Sequence, residues 1–217
     1  MDEHKEIIVI SVGGSLIVPG DINIQFLSKL KTFITDEIQH GKQFIIVVGG
    51  GKTARKYQEA AKELSHVESA DIDCIGITAI KLNVHLMKLI FAGIAEILIN
   101  PGIENWGPGR SSDYGTVEIA KENHAKKVVN LSNTDYIYDL EGMKETGKLN
   151  PIIEISWDDF IKMLPQEWTP GANVPFGPKA SELAREIGLE VANINGQIIE
   201  ELQKYLHGKE FRGTLIR

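Results

Sequence analysis

The residues best suited to chemistry lie in short glycine-bearing stretches. "VISVGGSLI" (9–17) and "VVGGGKTAR" (47–55) each run from a β-branched apolar segment into glycines. Without a Cβ these residues let the main chain come close to a phosphate, and the amides exposed at a following helix start point at the anion. Either loop alone also reads as a tight strand-to-helix turn; two in one chain favour the phosphate reading. Behind the second loop stand Lys52, Arg55 and Lys56, spaced i, i+3 and i+4 in the first turn of a helix. Cations there oppose the helix dipole unless an anion is bound. Lys52 and Lys56 serve equally well as a solvated basic face, whereas the forked donors of Arg55 suit a phosphate.

Two further stretches are polar in the right way. In "NWGPGRSSDYGTVEIAK" (105–121), Ser111 or Ser112 can cap a helix, and Arg110 with the exposed amides makes a second anion site. Asp113 in that first turn is equally explained by dipole stabilisation. "LSNTDYIYD" (131–139) offers small polar groups and two tyrosines for a base and ribose pocket, although Asn133 and Asp135 can simply shape a turn.

The elements that must position these loops are legible as an alternation. Ile7 to Val12, Phe44 to Val48, Glu96 to Ile99, Lys127 to Leu131 and Glu190 to Ile194 are short and rich in Val and Ile, as buried parallel strands are. Between them, Ile24 to His40 has Phe26, Leu27, Leu30, Phe33, Ile34 and Ile38 at helical spacing and stops at Gly41. Residues 52–64, 76–92, 113–123, 156–164, 178–187 and 197–206 read the same way. Strand alternating with helix predicts a doubly wound α/β sheet with its ligand crevice at the carboxyl ends of the strands. No internal repeat or low-complexity linker interrupts it, and "GMKETGKLN" (142–150), polar with two glycines, is the candidate flexible loop.

Familiar nucleotide motifs do not describe the second loop. A Walker loop ending in Gly51-Lys52-Thr53 requires glycine at position 46, which is Ile46. Gly49, Gly51 and Ala54 satisfy G-x-G-x-x-A, but the acidic residue expected about twenty positions on falls in "HVESADID", which is polar and not strand-like, so that match is weak.

Composition sets outer bounds. The 217 residues are 42% hydrophobic and 24% charged, enough for one sizeable core, with a net charge of −7 and no basic run, which argues against nucleic acid. Cys74 stands alone, so an intrachain disulfide is excluded and a reducing cytoplasm is the natural compartment. The N-terminal apolar run is too short to span a membrane and lacks a signal-peptide layout. Six scattered histidines show no metal spacing, Trp157 and Trp168 read as packing residues, and the carboxylates of "WDDF" (157–160) as helix capping.

In order, "VGGSL", "VVGGGKTARKY", "DCIGITAIKLN", "GPGRSSD" and "LSNTDYIYD" resemble the amino acid kinase superfamily, and within it the uridylate kinase branch of the archaeal-like type. "GKEFRGTLI" (208–216) resembles that family's terminal strand, so the likeness covers nearly the whole chain as a single domain. It implies a three-layer α/β/α sandwich with a mainly parallel central sheet. It also implies transfer of the ATP γ-phosphoryl group to UMP, with Mg²⁺ carried by the nucleotide and no metal held by the protein, in a cytoplasmic homo-oligomer, a hexamer among the candidates. Alternatives are another acceptor in the same superfamily (carbamate, acetylglutamate, isopentenyl phosphate) or nucleotide binding without transfer.

By matched position, Gly13, Gly14 and Ser15 would contact ATP phosphates, Gly51 with Arg55 the transferring group, and Ser132, Asn133, Tyr138 and Glu141 would line the ATP site. Gly50 would face UMP, Asp73 would hold its ribose, and the loop of Trp106, Gly107, Pro108, Gly109, Arg110, Ser111 and Ser112 would wrap its phosphate. Arg55 and Lys52 are the catalytic candidates. The chain departs from the pattern in three places. Ser11 stands where many relatives have lysine, and Lys179 lies where relatives often carry a charged group, though a surface lysine fits it better. Only Ile103 and Glu104 separate "AEILINPG" from "NWGPGRSSD", where the family has a longer stretch with a strand that delivers the acceptor loop. Shortening around 100–106 would cost the sheet that strand.

Overall fold

A computed structural model describes residues 6–107, 111–139, 147–164 and 176–217. The chain runs β1 (Ile7–Val12), α1 (Gly14–Ile17), α2 (Ile24–Gln39), β2 (Gln43–Val48), α3 (Gly51–Leu64), α4 (Ser69–Ile90) and β3 (Ile97–Ile99). After a 3-10 turn (Ile103–Asn105) come α5 (Ser112–Glu122), β4 (Lys127–Ser132), β5 (Ile137–Asp139), β6 (Asn150–Ile152) and β7 (Glu154–Ile155). It closes with α6 (Trp157–Met163), α7 (Pro178–Glu186), β8 (Glu190–Asn195), α8 (Ile199–Leu206) and β9 (Gly213–Ile216).

Seven strands form one sheet in the order β3-β2-β1-β4-β8-β9-β7, parallel except where β8 meets β9. Helices cover both faces, giving the three-layer α/β/α arrangement. In β1 the residues from Ile8 to Val12 are all buried, the expected state of a central parallel strand covered on both sides. From β1 the chain builds outward through β2 to β3, then returns to add β4 on the other side of β1. The β1–β4 boundary is therefore the topological switch point, where side connections leave a crevice at the carboxyl ends.

Three elements were not written in the periodicity. β5 and β6 form a separate antiparallel hairpin with Tyr138 opposite Pro151, so part of the stretch read as a flexible loop is strand; residues 142–146 lie outside the described residues. β7 has only two residues, too few to show a period. Helix α4 starts at Ser69, seven residues before the expected start at 76, because its first turns present mostly polar residues to solvent and bury only Ile72. Trp157 lies in the core, its indole N–H donating to Leu189 O at 2.7 Å, and the helix it opens is capped by Ser156 Oγ, which accepts from Asp159 N. Trp168 lies outside the described residues.

Candidate active site

The two glycine loops meet backbone to backbone at the switch point. Gly13 N donates to Leu131 O (2.9 Å) and Gly49 N to Val12 O (3.1 Å), which ties the ends of β1, β2 and β4 together. A Cβ on Gly14 would collide with Gly51 N and lie 2.5 Å from Gly49 O; one on Gly51 would collide with the Gly14 carbonyl. Gly51 also has φ +65°, the left-handed region in which a Cβ is strained. Side chains are thus excluded from the junction. Gly50 caps α3 with its Cα face closed, since an added Cβ would stand 2.7 Å from Ala54 Cβ and 3.3 Å from Gly76 O of α4.

Of the three cations after this loop, Arg55 reaches the other loop. Its Nη2 donates to Ser15 Oγ at 2.9 Å, so an exposed guanidinium spans the mouth between α3 and α1. Lys52 and Lys56 are exposed on the same helix. From α4, the buried Asn83 donates through Nδ2 to Gly49 O at 2.8 Å and fixes the loop from beneath. Sequence reading passed over Asn83, although an asparagine on a helical stripe with Ile72, Ile80, Val84 and Met87 is the signal of a buried polar clamp. Asp73 lies in the second turn of α4, partly buried and three residues before Gly76; there Gln58 Nε2 donates to Ile72 O at 2.8 Å and brings α3 and α4 close.

β3, the strand expected at 96–99, pairs with β2 and runs directly into residues 100–107, where a 3-10 turn (Ile103–Asn105) is the element between it and Trp106. Asn100 turns the chain with φ 39°, and its Oδ1 accepts from Val48 N at 2.8 Å. Trp106 does not face an open site: it is 5% exposed, and its ring fills the space a Gly115 side chain would need, 2.5 Å from that Cβ position. Gly107 has open space around it, whereas Pro108, Gly109 and Arg110 lie outside the described residues. Ser111 caps α5 by accepting from Tyr114 N (3.2 Å), and Ser112 Oγ sits 3.8 Å from a Cβ built on Gly49, which brings this helix start to the glycine junction. Next to it, Asp113 accepts a backbone hydrogen bond from Gly177, while desolvation pushes its carboxyl up to about 6. Burial is the largest influence on this carboxyl, which stands in the first turn of α5 beside the junction.

On the other side of the switch point, the β4–β5 loop is shaped by side chains. Ser132 Oγ accepts from Thr134 N at 3.2 Å, and Asp135 accepts from Asn195 Nδ2 (2.8 Å) and from Arg212 Nη2. Glu201 in turn accepts from Arg212 N at 2.6 Å and from Lys204 Nζ at 2.8 Å. Asn133 is exposed, Tyr138 packs edge-on to Tyr136 with centroids 6.2 Å apart, and Glu141 lies outside the described residues. Lys179 is exposed on α7. The structure therefore gathers residues 13–15, 49–55 and 111–113 at one junction, with 132–138 across the switch point.

Comparison with known proteins agrees with this geometry. A model described as the amino acid kinase family matches residues 6–96. The uridylate kinase of Thermococcus onnurineus is 30% identical over 152 residues, 63% of this chain and 67% of that protein. The chain belongs to the amino acid kinase family. The uridylate kinase of Methanocorpusculum labreanum is 27% identical over 96% of this chain and 94% of its own length. Among solved structures, the uridylate kinase of Archaeoglobus fulgidus shares the fold with a TM-score of 0.76 at 23% identity, covering 97% of this chain and 99% of that one. The UMP kinase of Bacillus anthracis does so with a TM-score of 0.77 at 17% identity, covering 98% and 96%. An amino acid kinase fold is what the sheet order, the glycine junction and the side hairpin compose.

Proposed function

We propose that this chain is a UMP kinase: an oxygen of the UMP phosphate attacks the γ-phosphorus of ATP, the bond from that phosphorus to the β-bridging oxygen breaks, and UDP and ADP leave. The observation that carries this reading is the Arg55 guanidinium joined to Ser15 across two loops from which side chains are excluded. A cation bridging two amide-rich turns stabilises charge spread over a moving phosphoryl group, and such transfer asks for positioning rather than a covalent nucleophile. In this reading Gly13, Gly14, Ser15, Gly51, Ser132, Asn133 and Tyr138 bind ATP, while Gly50, Asp73, Gly107, Ser111 and Ser112 bind UMP. Lys52 adds positive potential from the first turn of α3. Asp113, kept in place by Gly177, orients the start of α5 toward the junction.

Mg²⁺ enters with the nucleotide, where it neutralises phosphate charge. Among the described residues no three His, Cys, Asp or Glu converge on one point, and Mg²⁺ commonly relies on substrate phosphates and waters rather than on a protein cage. Cytoplasmic location and a place in pyrimidine nucleotide synthesis go with this reading. So does self-association: Leu82 and Leu89 of α4, seven residues apart on one face, and Leu98 of the adjoining β3 are 62%, 76% and 50% exposed, an apolar patch that a second copy would cover.

The test is ADP release measured with UMP, CMP, carbamate, acetylglutamate and isopentenyl phosphate as acceptors. Turnover with UMP far above the rest is expected. Turnover with another acceptor reassigns the substrate, and ATP binding without turnover on any of them removes the enzyme reading.

A further inference from the structure

The sheet face beneath the β4–β5 loop changes character along its strands. Register places Val9, Val128, Val191 and Ile216 in one row across β1, β4, β8 and β9. Two residues nearer the carboxyl ends of the parallel strands, on the same face, the row becomes Ser11, Asn130, Asn193 and Thr214. One step further lie Ser132 and its register partner Asn195, which already belong to the donor side of the site. An apolar sheet thus turns polar just under the switch point, and all four residues of the polar row are at least nine-tenths buried.

Within this row most groups are accounted for. Thr214 Oγ1 accepts from Ile137 N (2.9 Å) and donates to Ile152 O, so it serves the hairpin. Asn130 Nδ2 donates to Asn193 Oδ1 at 3.0 Å, which fixes the orientation of the Asn193 amide. That leaves Asn193 Nδ2, on a residue 1% exposed, with no acceptor among the described residues. A buried N–H donor without a partner is costly and rarely kept without a use. At the carboxyl ends of these strands the chain turns at Gly13 after β1 and at Gly196 after β8, where Gly13 N donates to Leu131 O and Gly196 N to Ser132 O, each at 2.9 Å. No side-chain cation stands in the row, since its β1 member is Ser11.

We propose that Asn193 is a nucleotide-binding residue whose Nδ2 donates to a phosphate oxygen of the donor nucleoside triphosphate. The inference rests on the kinase reading above and assigns a floor to its donor subsite. The polyphosphate is then held by the neutral Asn193 amide on this side and by Arg55 on the other.

Equilibrium binding of the non-hydrolysable analogue AMP-PNP with Mg²⁺, and separately of UMP, to the full chain and to two variants tests this. Asn193→Asp keeps an acceptor for Asn130 and replaces only the free donor by an anionic oxygen. It is expected to weaken AMP-PNP at least about tenfold with UMP affinity unchanged within about twofold, as befits a lost charge-assisted bond. Asn193→Ser, which carries no charge, is expected to weaken AMP-PNP about three- to tenfold with the same selectivity and decides the matter alone if the aspartate variant does not fold. AMP-PNP binding within twofold of wild type in the folded variants, or equal weakening of both ligands, overturns the inference while leaving the kinase reading intact. A wild-type chain that binds no AMP-PNP overturns both.

Discussion

The two sides of the switch point are built by opposite means. The β1–β2 side is made of main chain: Gly14 and Gly51 touch so closely that neither tolerates a Cβ, and Asn83 and Arg55 are the side chains that lock it. The β4–β5 side is made of side chains, in which Asp135, Asn195, Arg212 and Glu201 bond to one another around a polar loop. Backbone packing is all-or-none, because a clash with a peptide group cannot relax by a rotamer change. A hydrogen-bond network is graded, since removing one member leaves others in place. In the function proposed above, the rigid side holds the transferring phosphoryl group and the graded side the base and ribose.

Substitutions can break this contrast, and the largest effect is expected at the junction. Gly14→Ala forces the two loops apart and should abolish measurable transfer while lowering the thermal midpoint; near-normal turnover would show that the loops are not in contact. Arg55→Ala should reduce kcat by two or more orders of magnitude, the scale of a lost charge-stabilising group, with a far smaller change in the affinity for either nucleotide.

Asp113 lies at the edge of the rigid side and adds a pH signature. Its pKa is raised on folding from 3.8 to about 6, so its favourable contribution is fully present below about pH 4 and is lost as pH rises through about 6. Asp113→Asn should therefore gain up to about 3 kcal/mol in denaturant unfolding at pH 8 and far less at pH 4; an equal change at both would assign the effect to packing. The smallest effect belongs to the graded side. Arg212→Ala removes one of two donors to Asp135 from a half-exposed position and should raise the KM for ATP about three- to tenfold with kcat within about threefold. A loss as large as that of Arg55 would erase the distinction between the sides.

This contrast also explains what the sequence could disclose. The parallel strands, the helices between them and the glycine junction were legible because each depends on local residue type: β-branched runs, an apolar period, glycine where no Cβ fits. Arg55 was separable from Lys52 on donor geometry alone. What escaped depends on contacts between segments far apart in the chain. Asn83 meets Gly49 across 34 positions, and Arg212 meets Asp135 across 77, distances over which no periodic signal runs. Trp106 is the reverse case, a residue matched to an acceptor loop whose ring the fold spends on covering Gly115. The early start of α4 was hidden because a solvent-facing helix turn has the polar composition of a loop.

The most direct test of a single phosphoryl-transfer centre at the glycine junction is ³¹P NMR of the purified chain with Mg²⁺, ATP and UMP. Resonances of UDP and ADP should grow in equal amounts while those of ATP and UMP decline, with no inorganic phosphate. ADP appearing with inorganic phosphate and no UDP would contradict it.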